Sequence, residues 1–225
     1  MDMTDTQTLA PTDFTAARRH MIESQLRPSD VSDPVVIAAM AVTPREDFVP
    51  AGQSAIAYID RAVPLGGGRV LNPALSTGLL LTRAELSSDD RVLLIGSGSG
   101  YTAALLAGIV AEVVAVEEDR ALVEQAKARL DGLANVTTVE SALVEGHAAG
   151  APYSLILVDG AVEQMPEALV AQLADGGRLL TGLDESGVTR LAIGRRQGGA
   201  FALVPFADTD IAPLAAFARP KSYSF

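Results

Sequence analysis

The sequence contains no cysteine and no tryptophan, and only 2 of its 225 residues are histidine. Without cysteine there is no disulfide, no thiolate metal ligand and no thiol nucleophile. Two histidines leave little material for a multi-histidine metal site or for a triad that uses histidine as its base. These absences exclude much hydrolase and metal chemistry, and we predict no metal site.

Basic residues are also few, with 17 Lys and Arg against 28 Asp and Glu and a formal net charge of −11. No basic run breaks this balance, so a positive surface for nucleic acid is not expected. The longest nearly apolar stretch, residues 103–116, is interrupted by Glu112 and is shorter than the roughly 20 residues of a membrane span. Residues 1–20 lack the apolar core of a signal peptide. We therefore expect a cytoplasmic protein that binds neither nucleic acid nor membranes.

The composition, 48% hydrophobic and 20% charged, is typical of a globular chain with its own core. We predict a flexible N-terminus over residues 1–12 and, within one domain, an N-terminal helical cover over residues 13–86. A cofactor-binding, Rossmann-like core follows over residues 87–225. In the cover, Asp33 and Pro34 have the spacing of a helix cap and a first-turn proline.

Five short apolar runs in the core alternate with helical segments, which is typical of a doubly wound parallel sheet. The predicted strands are residues 91–95, 113–117, 136–140, 154–158 and 178–181. Two further runs, residues 188–195 and 200–205, are joined by Gln197-Gly198-Gly199 and predict a hairpin. The sequence thus predicts an α/β fold with a seven-stranded sheet that ends in an antiparallel hairpin.

The chemically informative motif is Gly-Ser-Gly-Ser-Gly-Tyr at residues 96–101, after the first predicted parallel strand. Glycines let the backbone approach a ligand closely and adopt conformations that side chains forbid. A dinucleotide fingerprint needs glycine or alanine three places after Gly98, where Tyr101 stands. The observed spacing is instead the one expected for S-adenosyl-L-methionine. The next strand ends in Glu117, whose carboxylate is placed to accept hydrogen bonds from a ribose diol.

Several ordered motifs resemble one family. They are Met-Ile-Glu-Ser-Gln-Leu at residues 21–26, Pro-Arg-Glu-Asp-Phe-Val-Pro at 44–50, Ala-Tyr-Ile-Asp at 57–60, the glycine motif, and Ala-Pro-Tyr at 151–153. Over residues 21–181 the chain resembles the protein-L-isoaspartate O-methyltransferases. The resemblance implies a class I methyltransferase fold, S-adenosyl-L-methionine as cofactor, and carboxyl methylation of proteins or peptides bearing isoaspartate.

The resemblance and the glycine motif together give a set of candidate cofactor-binding residues. They are Gly96, Ser97, Gly98, Ser99, Gly100, Tyr101, Glu117, Glu118, Ala142, Leu143 and Asp159. On the adenine side, Ser141-Ala142-Leu143 stands where the family has Gly-Asp-Gly, so Ala142 replaces a polar family residue. The main-chain groups of Ala142 and Leu143 are the candidates for binding adenine, since a main-chain N–H needs no particular side chain. Leu71 stands at the position of the family's active-site serine when the sequences are aligned on Pro73, and it is the candidate catalytic position together with Asp159.

Two residues have alternative interpretations. Asp159 follows a central strand at the ligand crevice, where the resembled family has threonine. In the first interpretation its carboxylate attracts the sulfonium or accepts a proton from a neutral nucleophile, and it also repels an isoaspartate. In the second interpretation Asp159 only caps a turn at Gly160. Tyr101 packs either against the cofactor or against the N-terminal helices.

The function has alternatives as well. Besides isoaspartyl repair, the replacements Leu71, Leu94 and Ala142 allow a family member that has lost this activity. Such a member either methylates another acceptor or serves as a non-catalytic protein that binds the cofactor or a partner.

Overall fold

The computed structural model describes residues 13–220, so the prediction for residues 1–12 lies outside the described part. The N-terminal part contains α1 (Phe14–Met21), α2 (Pro34–Val42), β1 (Val63–Gly66), β2 (Arg69–Leu71) and α3 (Ala74–Arg83). Asp33 caps α2 by accepting hydrogen bonds from the Val35 and Val36 amides, as its position before Pro34 predicts. The N-terminal part is not entirely helical as predicted, because β1 and β2 form an antiparallel hairpin with Gly67 and Gly68 between them.

The rest of the described chain forms one seven-stranded sheet flanked by α4 (Tyr101–Ala107), α5 (Arg120–Arg129) and α6 (Glu167–Val170). Its strands are β3 (Arg91–Ile95), β4 (Glu112–Glu117), β5 (Val136–Glu140), β6 (Tyr153–Val162), β7 (Leu173–Glu185), β8 (Val188–Arg195) and β9 (Leu203–Asp208). The order is β5-β4-β3-β6-β7-β8-β9, and β8 runs antiparallel to both of its neighbours while the first five strands are parallel. The predicted fold class is confirmed.

Strand β6 is longer than predicted because Asp159-Gly160 does not end it. The sequence pattern suggested a turn there, but the Ala161 amide donates to Ala212 O and the Leu214 amide donates to Ala161 O. These bonds come from residues 211–217, hereafter the C-terminal segment, which follows β9 and returns to the sheet. Pairing with a distant segment therefore extends the strand where local composition favours a turn.

Register brings three strand ends to one edge of the sheet. Ile95, the last residue of β3, lies opposite Val116 of β4 and Val158 of β6. The residues that follow, Gly96, Glu117 and Asp159, therefore meet at the carboxyl edge, where ligands of open parallel sheets bind.

The core has two parts, one on each face of the sheet. The N-terminal helices contribute Met21, Leu26 and Met40 to one cluster, which packs against Leu94 and the residues near it. On the other face the C-terminal segment contributes Leu214 and Phe217. The carboxyl edge is thus covered from both sides by segments outside the central strands. None of the helices within residues 13–220 has the length and apolar character needed to cross a bilayer.

The opposite, amino edge contains a buried ion pair. Arg178 of β7 donates to both carboxylate oxygens of Asp90 and to the carbonyls of Ala84, Glu85 and Ser154. Burial alone would raise the pKa of the Asp90 carboxyl. Hydrogen bonds from Arg178, from the Ser87 amide and from Ser154 outweigh that effect and hold this pKa below its ordinary value.

Candidate functional site

The glycine loop, residues 96–100, turns sharply between β3 and α4. Gly96, Gly98 and Gly100 have φ of 74°, 54° and 101°, the left-handed region that disfavours side chains. The Gly96 and Ser97 amides both donate to Val116 O, which fixes the loop to the end of β4. The glycine motif therefore forms a sharp turn at the carboxyl edge of the sheet, in backbone conformations that glycine adopts readily, as predicted.

Glu117 ends β4 beside this loop and is fully buried. Its Oε1 accepts from the amides of Glu118 and Asp119 at 3.0 and 3.2 Å, at the start of α5. Its Oε2 accepts from the Gly98 amide at 2.8 Å and from Arg69 Nη2 at 3.0 Å. Two acceptor positions on each oxygen are thereby filled, and the carboxylate is fixed in place.

Three side chains from outside the central sheet lie over the loop. A Cβ placed on Gly98 would lie 3.2 Å from Leu65 Cδ1. One placed on Gly96 would lie 2.9 Å from Arg69 Nη2 and 3.4 Å from Leu214 Cδ1. Leu65 and Arg69 belong to the β1–β2 hairpin and Leu214 to the C-terminal segment. The loop is covered by the ends of flexible side chains and not by backbone.

The serines of the loop differ in their surroundings. Ser99 is buried and its hydroxyl donates to Phe48 O, so it ties the loop to the N-terminal part. Ser97 Oγ is buried without a hydrogen-bond partner among residues 13–220. A buried hydroxyl without a partner is costly, and a ligand atom at the loop would remove that cost.

Tyr101 is fully buried against the N-terminal part of the chain. Its ring meets Phe48 edge-on at a centroid distance of 5.5 Å, and the Arg45 guanidinium lies 4.9 Å from its centroid. Burial raises the pKa of the Tyr101 hydroxyl, and the Arg45 charge opposes this shift. Of the two sequence-based alternatives, these contacts match packing against the N-terminal part.

Asp159 lies within β6 and does not cap a turn at Gly160, so that alternative is wrong. Its Oδ1 accepts from Asn72 Nδ2 at 2.8 Å and its Oδ2 from the Thr102 hydroxyl at 2.5 Å. The reason is the continuation of β6, which engages the Ala161 amide with the C-terminal segment. Asp159 is only partly buried, and its proximity to a transferred methyl group stays a prediction.

Asn72 and Arg69 are site residues that sequence reasoning missed. Asn72 is 3% exposed; besides holding Asp159, its Oδ1 accepts from the Ala212 amide at 2.9 Å. Arg69 is the one charged residue in the stretch 62–82, and an isolated charge beside a glycine-rich turn was the available signal.

The four other predicted site residues, Leu71, Leu143, Glu118 and Ala142, differ in their burial. Leu71 is 5% exposed and packs in the hydrophobic core, and Leu143 is buried in the cluster on the opposite face. Glu118 and Ala142 are exposed. The structure brings together the glycine loop, Glu117 and Asp159, and the cofactor-binding and catalytic roles of all the predicted site residues stay predictions.

Comparison with known proteins gives one consistent family. A family model for protein-L-isoaspartate(D-aspartate) O-methyltransferase matches residues 16–214. The chain is 36% identical over 207 residues to protein-L-isoaspartate O-methyltransferase 1 of Rhodopseudomonas palustris (strain HaA2), covering 90% of this chain and 84% of that protein. It is 38% identical over 203 residues to the protein-L-isoaspartate O-methyltransferase of Methylorubrum populi, covering 88% and 95%.

Solved structures agree on the fold. A protein-L-isoaspartate O-methyltransferase structure is similar with a TM-score of 0.76 and 25% identity, covering 88% of this chain and 66% of that one. A Plasmodium falciparum structure, determined in complex with S-adenosyl-L-homocysteine, has a TM-score of 0.76 at 19% identity, covering 92% of this chain and 100% of that one.

Proposed function

The chain belongs to the protein-L-isoaspartate(D-aspartate) O-methyltransferase family, and on that premise we propose that it transfers the methyl group of S-adenosyl-L-methionine to isoaspartyl carboxylates of damaged proteins or peptides. The observation that carries this proposal is the left-handed glycine loop beside the buried Glu117 at the carboxyl edge. The glycine motif and the carboxylate predicted to receive the ribose lie next to each other, which supports the proposal.

The residues present fit this cofactor chemically. The glycine loop suits its amino-acid end, the Glu117 carboxylate suits the ribose hydroxyls, and main-chain groups of Ala142 and Leu143 suit the adenine. The unpartnered Ser97 hydroxyl adds a polar group at the loop. When bound, the cofactor supplies an electrophilic sulfonium methyl group.

Methylation of an isoaspartyl carboxylate is compatible with a chain that has few histidines and no cysteine. An isoaspartyl carboxylate has a pKa of about 4 and is already ionised at neutral pH, so no general base is needed. The protein has to align the acceptor and exclude water from the site. The β1–β2 hairpin and the C-terminal segment lie over the carboxyl edge and are suited to excluding water. Poverty in histidine and cysteine is therefore compatible with this activity.

A second candidate, methylation of a different acceptor, is supported by Asp159. Its carboxylate lies at the edge where the substrate carboxylate has to enter, and no arginine among residues 13–220 forms an ion pair with it. Repulsion between the Asp159 carboxylate and the substrate carboxylate would disfavour isoaspartate and favour a neutral or cationic acceptor. For a neutral acceptor, the Asp159 carboxylate could also accept the proton that the acceptor loses.

The test is methyl transfer by the full chain to an isoaspartyl peptide and to its aspartyl twin of identical sequence. We expect transfer to the isoaspartyl form alone, and binding of S-adenosyl-L-homocysteine by calorimetry. Cofactor binding with no transfer to either peptide would favour the second candidate. Absence of cofactor binding by the folded protein at millimolar ligand would refute both methyltransferase proposals.

The remaining proposals concern the setting of the activity. We propose a cytoplasmic protein whose partners are isoaspartate-bearing proteins or peptides. Cell fractionation of the source organism, with detection of the chain, tests the location, and recovery in the membrane fraction would contradict it.

A further inference from the structure

Arg69 bonds the carboxylate of Glu117, which we assign to the ribose of the proposed cofactor. The side chain comes from β2, is 14% exposed, and reaches over the glycine loop. Its Nη2 donates to Gly96 O and to Glu117 Oε2, both at 3.0 Å. Arg69 therefore holds the acceptor oxygen that a ribose hydroxyl would use.

Glu117 has no free acceptor position for a ribose hydroxyl, so one of its present hydrogen bonds has to break when a ribose binds. A carboxylate offers about four lone-pair positions, and all four are used here. Three of the donors are main-chain amides of Gly98, Glu118 and Asp119, which belong to the loop and to the start of α5. Only the Arg69 side chain can leave without unfolding backbone. Ribose binding to Glu117 thus displaces the Arg69 guanidinium from its anion.

A displaced Arg69 has N–H donors without acceptors, and it forms no ion pair with a second carboxylate among residues 13–220. Its Nε is already buried without a partner among residues 13–220. Gly96 O can still hold Nη2, which would keep the guanidinium at the carboxyl edge, next to the end of β6. The proposed reaction brings two carboxylates to this edge, the one on the amino-acid end of the cofactor and the one on the acceptor. The glycine loop is assigned to the amino-acid end of the cofactor, so the acceptor carboxylate is the one that still lacks a cationic partner.

We propose that Arg69 binds the isoaspartyl carboxylate of the substrate, and that the cofactor releases it for this role by taking its place on Glu117. This inference rests on the proposed function. It assigns the positive charge that offsets Asp159 at the substrate entrance. It also predicts an order of events, because the substrate carboxylate gains its cationic partner only after the cofactor has bound.

The experiment compares wild-type protein with Arg69→Gln, using Arg19→Gln on the exposed face of α1 as the charge-matched control. In Arg69→Gln we expect S-adenosyl-L-homocysteine to bind about threefold tighter or more, since no cation competes for Glu117. The KM for an isoaspartyl peptide should rise about 10- to 100-fold, as expected for loss of a charge-assisted hydrogen bond. The two effects have opposite signs, which simple structural damage would not produce.

Linkage gives a second readout. In the wild type, a saturating isoaspartyl peptide should tighten S-adenosyl-L-homocysteine binding measured by calorimetry, and in Arg69→Gln this coupling should vanish. An unchanged KM in Arg69→Gln would overturn the inference while leaving the proposed function intact. Weaker binding of S-adenosyl-L-homocysteine would overturn it as well, because it would assign Arg69 to the carboxylate of the cofactor and not to that of the acceptor. Failure of the wild type to methylate the isoaspartyl peptide would overturn both.

Discussion

Two buried arginine–carboxylate pairs lie at opposite edges of the same sheet, and they differ in how completely the arginine is satisfied. At the amino edge, Arg178 donates through Nε, Nη1 and Nη2 to the Asp90 carboxylate and to main-chain carbonyls. At the carboxyl edge, Arg69 finds acceptors through Nη2 and leaves the buried Nε without one among residues 13–220. The first arrangement suits a permanent structural pair, and the second suits a side chain that changes partners.

The two carboxylates differ in how many hydrogen bonds they accept from main-chain amides. Asp90 accepts from Arg178 on both oxygens, and besides it only from the Ser154 hydroxyl on Oδ1 and the Ser87 amide on Oδ2. Glu117 receives main-chain amides on both oxygens and lies at the start of α5, where the helix dipole also favours a negative charge. Glu117 therefore keeps main-chain donors on both oxygens without Arg69, whereas Asp90 keeps a single main-chain donor without Arg178, and Arg178 loses its counter-charge without Asp90.

The largest effect should follow from breaking the amino-edge pair. Asp90→Ala leaves the Arg178 guanidinium buried without a counter-charge, and we expect a loss of about 3–5 kcal/mol in the free energy of unfolding. Urea denaturation measures this loss. Glu112→Ala, which removes the half-exposed partner of Arg91 on the same edge, is the control and should cost at most about 1 kcal/mol.

The same pair has a defined pH dependence. The folded pKa of Asp90 lies below its ordinary value of 3.8, so its contribution to stability is present above pH 3.8 and is lost as the pH falls through the folded pKa. The difference in stability between wild type and Asp90→Ala should thus shrink below about pH 4. A difference that stays constant into that acidic range would contradict the assigned ion pair.

The next effect concerns the carboxyl edge and is measured as binding. Glu117→Gln removes the charge that receives the ribose hydroxyls, at a cost of about 2–3 kcal/mol, or roughly 30- to 150-fold in the Kd for S-adenosyl-L-homocysteine. Calorimetry measures it, with Glu124→Gln on the exposed side of α5 as the control. Equal affinity in Glu117→Gln and wild type would remove Glu117 from the cofactor site.

A third carboxylate, Asp159, tests how strongly a negative charge at the carboxyl edge opposes an isoaspartyl substrate. Asp159 accepts hydrogen bonds from an amide and a hydroxyl, and no arginine among residues 13–220 pairs with it. At an effective dielectric of about 20, its charge opposes an isoaspartate about 8 Å away by about 1–2 kcal/mol. Asp159→Asn keeps the shape and should raise kcat/KM for an isoaspartyl peptide roughly 5- to 30-fold.

Exposed Asp131 supplies the control for that variant, because Asp131→Asn changes the net charge equally at a distance from the site. A lower kcat/KM in Asp159→Asn would mean that the carboxylate assists the reaction. That result would favour the second candidate function, in which the acceptor is not isoaspartate.

Local sequence signals predicted the features that depend on local chemistry. The strand β3 and the glycine loop follow from an apolar run ending in closely spaced glycines, and Glu117 follows from the length of one crossover. Asp159 was partly misinterpreted because Asp-Gly is locally a turn signal. The bonds that keep it in a strand come from Asn72 and residue 212, which are far away in the sequence.

Arg69 shows the same limit more clearly. Its role depends on the β1–β2 hairpin folding over a loop that begins 27 positions later. No periodicity or motif within either segment encodes that contact. The prediction could name the cofactor loop, but not the side chain that covers it.

The smallest expected effect is the most direct test of the comparison between the two edges. Arg69→Gln removes the cation from the fully buried Glu117, yet the main-chain amides of Gly98, Glu118 and Asp119 still donate to both of its oxygens. We therefore expect the free energy of unfolding to change by less than about 1 kcal/mol, against the larger loss in Asp90→Ala. Urea denaturation of both variants under identical conditions measures the contrast. A loss in Arg69→Gln as large as that in Asp90→Ala would show that the carboxyl-edge pair is also a permanent structural bond, because an arginine that stabilises the fold so strongly could not leave Glu117 when a cofactor binds.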